Sequence, residues 1–371
     1  MNSFQLLRLV FIKYCPKHMV IPRVIPSLLL MGAFCGFLGG CADLGYLSRQ
    51  LGGHLEIIRA ARPVDDWLAD PATAPALRER LEHSRVIREF AVSELHLPDN
   101  RSYRNYADLK REAAVWNVVA TPALSLTPKT WCFPIMGCVA YHGDFEKPRA
   151  EALGGELRAQ GLDVMVYPVP AYSSLGWTAD PLLNTFINYH DATLAGMVFH
   201  ELSHQLVYVS DDTMFNESFA TAVERIGVRM WLEKQGTPPQ REQFLLTEAR
   251  QMRFRALTLA YRERLMALYA SSEPDKPAAK AALFVDLRRD YEHIKSAEWG
   301  GYAGYDRWMA QANNASFALQ ASYTGGVPAF EALWQREGGD WPRFYAAVKK
   351  LAALPKKERS EALLALTSGI R

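Results

Sequence analysis

Apolar residues recur at helical spacing in the first third of the chain. One set lies roughly on a single face of a helix and comprises Leu77, Leu81, Val86, Ile87 and Phe90. A second pattern of the same kind extends from Tyr106 to Val118. Together the two patterns predict a helical N-terminal region over residues 44–118.

Shorter apolar pieces follow, separated by proline and glycine, and indicate loops with one or two strands. Residues 146–160 then predict a helix that ends at Gly161. The next segment, 162–172, is rich in β-branched and aromatic residues and predicts a strand. Its two prolines make it an edge strand, because proline has no N–H to donate to a second neighbour.

From Asp191 onward nearly the whole chain has helical character. The stretch 239–271 predicts one long helix whose many charges form a solvated face. The fold class is therefore α+β and mainly helical, with a small sheet just before the central helix. We expect residues 41–371 to form one region, with a helical part at 44–118 and a catalytic part at 119–371.

Composition excludes some partners. The chain has 371 residues, of which 49% are hydrophobic and 22% charged, as in ordinary globular proteins. The net charge is +2, and the first forty residues hold four basic residues and no acid, so the remainder carries −2. Such a body gives no reason to expect nucleic acid as a partner.

Residues 1–40 have the pattern of an export signal. Basic residues precede an apolar run from Val24 to Gly40, which is short and glycine-rich for a membrane span but suits a signal peptide. The run ends in Leu38-Gly39-Gly40-Cys41, which resembles the lipobox of bacterial lipoproteins, where the cysteine is acylated and becomes the mature N-terminus. An uncleaved anchor is the alternative, and Met19 is an alternative start.

The lipobox resemblance implies a place in the bacterial cell envelope. An acylated Cys41 would anchor a periplasm-facing lipoprotein to a membrane. The residue directly after the cysteine stands at the usual sorting position of such lipoproteins. Here it is Ala42 and not an acid, and the first acid, Asp43, comes one position later. By the same resemblance, the outer membrane is expected rather than the inner one.

Cys132 and Cys138 remain once the leader is removed and Cys41 is acylated. They are close in sequence and separated by Pro134 and Gly137, which predicts a disulfide across a tight loop. No histidine or further cysteine lies at ligand spacing, which argues against a metal site there. Two free buried thiols are the alternative.

The segment His200-Glu201-Leu202-Ser203-His204 carries the strongest chemical signal. On a helix, residues four positions apart lie on one face, so both imidazoles can reach one ion. Zinc prefers neutral imidazole nitrogen and takes three protein ligands plus water in catalytic sites. Glu201 would lie beside that water and accept its proton. Two core histidines on a buried helix are the alternative.

A third ligand is expected from the next helix. Twelve residues separate His204 from Glu217, which is enough for a turn and the start of an antiparallel helix. Glu217 stands in an Asn-Glu-Ser-Phe-Ala segment that resembles the Asn-Glu-x-Phe-Ala segment of gluzincin metallopeptidases. The alternative is an exposed first-turn acid, which the helix dipole favours.

Two further acids have several possible roles. Glu224 lies seven residues after Glu217 and so shares its face of the helix. It could accept a hydrogen bond from a ligand histidine or bind the amino group of a substrate; a simple surface acid is the alternative. Asp180, in the loop at Ser173–Pro181, is the second candidate for binding that amino group.

Peptide hydrolysis also needs groups that align the substrate and stabilise the oxyanion. The edge strand at 163–172 could align a peptide by β-addition, or it could be an ordinary edge protected by prolines. The candidates for the oxyanion are Tyr302, Tyr305, Tyr323 and His293. We select Tyr323, because the following Gly325-Gly326 bend could present it to the metal.

The run from Leu194 to Glu224 resembles a family of bacterial predicted aminopeptidases, which are zincin-like and often lipoproteins. The likeness extends over further segments, namely Trp131–Pro134, Gly137–Cys138, Tyr172–Trp177, Asn313–Ala315, Tyr323 and Val327–Phe330. The Gly-x-Met-Glu-Asn amine-binding motif of better-known gluzincin aminopeptidases is absent from the sequence. An endopeptidase therefore stays open beside an aminopeptidase.

The sequence thus predicts a peptidase with one Zn²⁺ held by His200, His204 and Glu217, acting on peptide substrates. A lipid-anchored binding or scaffold protein with a non-catalytic zinc site is the alternative. The presence of Glu201 separates the two, because a structural zinc site needs no base.

Overall fold

The computed structural model describes residues 41–133, 137–171, 173–174, 176–210, 212–320 and 326–367. The predicted signal segment 1–40 and Tyr323 lie outside these residues. Cys41 is the first residue of a helix.

The described part of the chain is mainly helical and carries small sheets. Its helices are α1 (Cys41–Ala60), α2 (Val64–Ala69), α3 (Pro75–Ser93), α4 (Lys147–Ala159), α5 (Asp191–Leu206), α6 (Thr213–Gln235), α7 (Pro238–Ala270), α8 (Lys276–Ala297), α9 (Asp306–Gln311), α10 (Asn314–Gln320), α11 (Val327–Arg336), α12 (Trp341–Ala352) and α13 (Lys356–Thr367). Its strands are β1 (Arg62–Pro63), β2 (Asn105–Ala107), β3 (Val115–Pro122), β4 (Trp131–Phe133), β5 (Gly137–Val139), β6 (His142–Asp144), β7 (Leu162–Val169) and β8 (Leu182–Leu183). This confirms the α+β class.

Helix α3 forms where the apolar pattern predicts it, but the second predicted helix is wrong. Its residues form β2 and the start of β3 instead. Strand β3 lies in the middle of its sheet, and its first seven residues are all buried. Trp116 and Val118 pack against α4, while Val115 joins the main core. A strand buried on both faces loses the alternation of polar and apolar residues, so its apolar run looked helical.

The sheet β6-β3-β7 is antiparallel, and β7 is an edge strand as predicted. The preceding helix α4 ends before Gly161, whose φ of 78° suits a glycine at a helix end. The outer edge of β7 is closed at Val164 and again just after its last residue, at Pro170. Asn313 Nδ2 donates to the Val164 carbonyl at 3.0 Å, and the Thr185 hydroxyl donates to the Pro170 carbonyl. These contacts leave only a short part of the edge for substrate alignment.

A second small sheet, β1-β2-β8, joins the N-terminal region to the segment before α5. Its β2 and β8 are parallel, with Tyr106 opposite Leu182. One core cluster extends from Ile57 to Leu363 and includes residues of α3, α5, α6 and α11. The expected division at residue 118 therefore falls inside β3 and does not separate two packing units.

Helices α5 and α6 form an antiparallel hairpin at the centre of this core. All eleven residues from Leu194 to His204 are buried, as expected for a helix surrounded by protein. The first turn of α6 is capped by Asp212, which accepts a hydrogen bond from the N–H of Phe215. Phe215 also packs edge-on against Phe330 of α11. The N-terminal cap and the contact with α11 thus hold the hairpin in place, and they fix the position of the side chains on its two helices.

The long predicted helix is present as α7, and it packs against α8 around a second core cluster. Several of its charged side chains make exposed ion pairs, such as Arg253 with Glu298 and Arg264 with Asp286. Part of the charge on α7 is thus solvated as predicted, while Glu248 is buried and pairs with Arg225 and Arg229 of α6. Within the described residues, no helix is long and apolar enough to cross a membrane.

Candidate metal centre

Helix α5 places His200 and His204 on one face, one turn apart. Their rings are nearly perpendicular, with centroids 4.8 Å apart, and their Nε2 atoms are separated by 3.2 Å. Both residues are buried, with 4% and 2% of their surface exposed. The two nitrogens therefore converge on one point, as their spacing in the sequence predicts.

Helix α6 brings the Glu217 carboxylate to the same point. Its Oε2 lies 3.4 Å from Nε2 of His200, and its Oε1 lies 3.5 Å from Nε2 of His204. Glu217 is only 2% exposed, so the alternative of an exposed first-turn acid is wrong. One ligand atom from each of the three residues falls within 4.8 Å of the others.

The turn between the two helices fixes this arrangement. The side-chain amide of Asn216 spans it, donating to the Val209 carbonyl and accepting from the Val209 N–H, both at 2.8 Å. Asn216 directly precedes Glu217, so the same contacts set the first turn of α6. Asn216 of the Asn-Glu pair therefore helps to position Glu217.

Glu224 contacts the other side of the first histidine. Its Oε2 lies 3.0 Å from Nδ1 of His200. Gly196 on α5 makes room for this contact, because a Cβ there would stand 3.2 Å from Cγ of Glu224. A carboxylate at Nδ1 holds the proton on that nitrogen and leaves the Nε2 lone pair for a metal ion. Of the roles open to Glu224, the geometry favours that of acceptor for a ligand histidine.

The residues at this point fit a divalent cation. Oε1 of Glu217 is buried and has no hydrogen-bond partner among the described residues. A buried carboxylate oxygen without such a partner is costly, and a cation beside it would compensate the charge of the carboxylate. Two imidazole nitrogens and one carboxylate oxygen are also the donor set of many catalytic zinc sites.

The protonation of the two histidines differs. Burial lowers the pKa of His200, but hydrogen bonds to Glu217 and Glu224 outweigh it and hold the pKa well above its usual value. For His204, burial dominates and lowers the pKa to about 4. His204 is therefore neutral near pH 7, which is the form that binds metal.

Glu201 lies on the same helix next to His200 and is 6% exposed. Burial raises the pKa of its carboxyl to about 7, and the His200 charge opposes that shift. The negative charges of Glu217 and Asp180 raise the pKa further, while a hydrogen bond from Ser173 lowers it. The outcome is a carboxyl group whose pKa matches the operating range of a general base.

Asp180 anchors the loop that carries Ser173. Its Oδ1 accepts a hydrogen bond from the Ser174 N–H at 2.9 Å, and its Oδ2 accepts one from the Ser173 hydroxyl at 3.2 Å. Asp180 is 1% exposed, and burial raises its pKa to about 6. Both oxygens are thus used inside the protein, which disfavours the expected role of binding a substrate amino group.

Comparison with known proteins adds a family. Residues 45–363 match the model of a family described as "Putative aminopeptidase". The chain belongs to this family. No curated protein and no solved structure matches it. The matched residues include helices α5 and α6 of the candidate metal centre and the loop that contains Asp180.

Two of the oxyanion candidates of this aminopeptidase-family protein contact residues of α7. The Tyr305 ring stacks on Phe254 at 4.0 Å in the second core cluster, and Tyr302 packs against the Arg250 guanidinium. His293 is exposed on α8. Tyr323 lies outside the described residues, so its selection stays a prediction.

Sequence reasoning missed Tyr103. This residue is 4% exposed, and its N–H donates to the Asp180 carbonyl at 2.6 Å. Burial raises its pKa, and the negative charge of Glu201 raises it further. Tyr103 precedes Glu201 by almost a hundred residues, and no motif surrounds it. Only the tertiary structure brings it to this place.

The cysteine pair lies on a separate hairpin. Cys132 and Cys138 face each other across β4 and β5 and form a disulfide in the structure. Both residues are exposed, so the alternative of buried free thiols does not hold.

Proposed function

We propose that this protein is a zinc-dependent aminopeptidase with a zincin-like active site. The observation that carries the proposal is the convergence of three buried ligand groups, His200, His204 and Glu217, within 4.8 Å. Membership of the aminopeptidase family supports peptide bonds as the substrate. Glu201, next to these ligands, supports catalysis rather than a structural metal site.

His200, His204 and Glu217 would hold one zinc ion. When bound, zinc supplies a Lewis acid that polarises the peptide carbonyl and lowers the pKa of a water molecule towards neutrality. Zinc is favoured over magnesium or calcium because two of the three donors are imidazole nitrogens.

Glu201 is the proposed general base. Its carboxylate would take a proton from the attacking water and deliver it to the leaving amine, so that no net proton is lost or gained. Ser173, which donates its hydroxyl proton to Asp180, also neighbours this carboxylate, and burial raises the pKa of Glu201 to about 7. General-base help of this kind is worth about 10²–10⁴-fold in rate.

Glu224 has an orienting role in this proposal. Its contact with Nδ1 of His200 at 3.0 Å would set the tautomer and the ring orientation of that ligand.

The second candidate function, a zinc endopeptidase, is favoured by one observation. Glu224 and Asp180, the acids expected to bind a free amino terminus, both have partners inside the protein.

We also propose that the protein is a lipoprotein of the bacterial envelope, anchored through Cys41. The lipobox-like leader supports this, and the surface disulfide suits an oxidising compartment.

The test uses the purified full-length protein in detergent. We expect about one zinc ion per chain by metal analysis, given three ligands for one ion. Glu201→Gln should keep this zinc and lose roughly 10²–10⁴-fold of the peptidase activity. Glu233→Gln, an exposed acid on α6, is the matched control and should behave as the parent protein.

Two results would count against the proposal. Activity that survives in Glu201→Gln would exclude Glu201 as the base. Equal cleavage of N-acetylated and free peptides by the parent protein would replace the aminopeptidase with the endopeptidase.

A further inference from the structure

The Tyr103 side chain is buried, and its hydroxyl has no hydrogen-bond partner among the described residues. A buried phenol normally finds a partner, because a buried hydroxyl without one loses the hydrogen bonds that it made to water. Such a group in a native protein calls for an explanation, and a missing ligand or substrate is one.

The backbone at Tyr103 is also strained. Its φ is 62°, in the left-handed region that bulky residues avoid. Surrounding contacts impose this conformation. The Tyr103 N–H donates to the Asp180 carbonyl at 2.6 Å, and Arg88 Nε donates to the Ser102 carbonyl at 2.9 Å. Strain that neighbouring structure enforces is concentrated at functional sites in proteins.

These contacts connect Tyr103 to the candidate metal centre. The Ser102 hydroxyl accepts a hydrogen bond from Gln205 Nε2 at 3.3 Å, and Gln205 directly follows the ligand His204. On the other side, Asp180 holds Ser173, which hydrogen-bonds to Glu201. Residues 102–103 are therefore held against helix α5, which carries the candidate metal ligands, and against the loop that contains Asp180 and Ser173.

The phenol remains protonated in this environment. Burial raises the pKa of Tyr103 well above its usual value, and the charges of Glu201 and Asp180 raise it further. A protonated phenol can donate one hydrogen bond but does not release its proton at neutral pH. Its chemistry is that of a fixed donor near the general base.

We infer that the Tyr103 hydroxyl donates a hydrogen bond to the peptide carbonyl oxygen as negative charge develops on it during hydrolysis. This inference rests on the proposed function and gives Tyr103 the role expected of Tyr323. The proton stays on the phenol throughout, so the step stabilises charge and breaks no bond. A substrate oxygen would also satisfy the unpaired hydroxyl.

The first test compares Tyr103→Phe with Tyr106→Phe in the zinc-loaded full-length protein. Tyr106 is a matched control, because it is a buried tyrosine three residues away on β2. Tyr103→Phe should lower kcat about 10²–10³-fold, with KM and zinc stoichiometry nearly unchanged. The control should retain kcat. If Tyr103→Phe keeps the parental kcat, the inference fails. A loss of kcat in Tyr323→Phe would then assign the oxyanion role to Tyr323.

A second readout is independent of turnover. A phosphinic pseudo-dipeptide with a free amino terminus carries tetrahedral oxygens that mimic the developing oxyanion. Calorimetry should show that Tyr103→Phe binds it at least about tenfold more weakly than the parent protein and the Tyr106→Phe control. Equal affinity, or no binding to any of the three proteins, would overturn the inference.

The two readouts separate this inference from the proposed function. A parent protein that binds zinc but hydrolyses no peptide would defeat the proposed function, while the phosphinic ligand would still decide the role of Tyr103. If the phenol only positioned Glu201, its loss would shift the pH profile of kcat/KM and leave the phosphinic affinity intact. That pattern would also overturn the inference.

Discussion

Replacing Glu224 by glutamine probes the contact that orients His200. The substitution keeps the shape of the side chain and removes its charge. In the parent protein, Oε2 of Glu224 lies 3.0 Å from Nδ1 of His200. The neutral amide can still accept a hydrogen bond through its oxygen, but it no longer stabilises positive charge on the imidazole. The His200 ligand should become less basic, and zinc should bind more weakly.

The expected loss can be bounded in two ways. Removal of an outer partner of a ligand histidine typically costs about 10–100-fold in metal affinity. A hydrogen bond to a charged group contributes about 1.5–3 kcal/mol, which is roughly the same range. The Glu224 side chain is 21% exposed, so solvent screens part of its charge. We therefore expect a loss near the lower end, about tenfold.

The assay is competition between the protein and a chromophoric zinc chelator at pH 7.5. Glu217→Gln, which removes a proposed ligand 2% exposed to solvent, should lose much more affinity and retain little zinc after dialysis. Glu233→Gln on the same helix is the control. Parental zinc affinity in Glu224→Gln would refute the orienting role, and a loss as complete as that of Glu217→Gln would make Glu224 a ligand.

Two further predictions concern pH and the leader. Burial raises the pKa of Asp180 to about 6. Between about pH 4 and pH 6 the folded protein therefore binds more protons than the unfolded chain. The free energy of unfolding should fall as the pH rises through that window. Asp180→Asn should flatten this part of the profile of unfolding free energy against pH, measured by urea denaturation; an unchanged slope would assign it to another group. Cys41→Ser should abolish metabolic labelling with a fatty-acid probe, and label that persists in the variant would disprove acylation at Cys41.

The convergence of His200, His204 and Glu217 could be predicted from the sequence because its geometry is local. The spacing of His200 and His204 fixes them on one helical face, and the short connection to α6 leaves few ways to place Glu217. The strand β7 and the helix α7 could be predicted for the same reason. Each has a continuous local pattern that needs no distant partner.

The features that sequence reasoning missed depend on long-range packing. Strand β3 is buried on both faces, so its residues show neither strand alternation nor a polar face. Tyr103 meets the Asp180 loop because β2 pairs in parallel with β8, about eighty residues later in the chain. A parallel pairing of two short strands leaves no periodic signal. The charge environment of Glu201 was therefore invisible before the fold was known.

That environment links metal binding to proton binding. Glu201, Glu217 and Asp180 are all less than 7% exposed, while His204 is neutral, so positive charge at the site comes from His200 alone among these residues. Burial raises the pKa of Glu201, and the negative charges of Glu217 and Asp180 raise it further. A divalent cation would reverse this balance, because it displaces the proton of His200 and lowers the pKa of nearby acids. Metal and protons would therefore compete for one pocket. A bound cation would keep Glu201 ionised at a lower pH, which is the state that a general base needs.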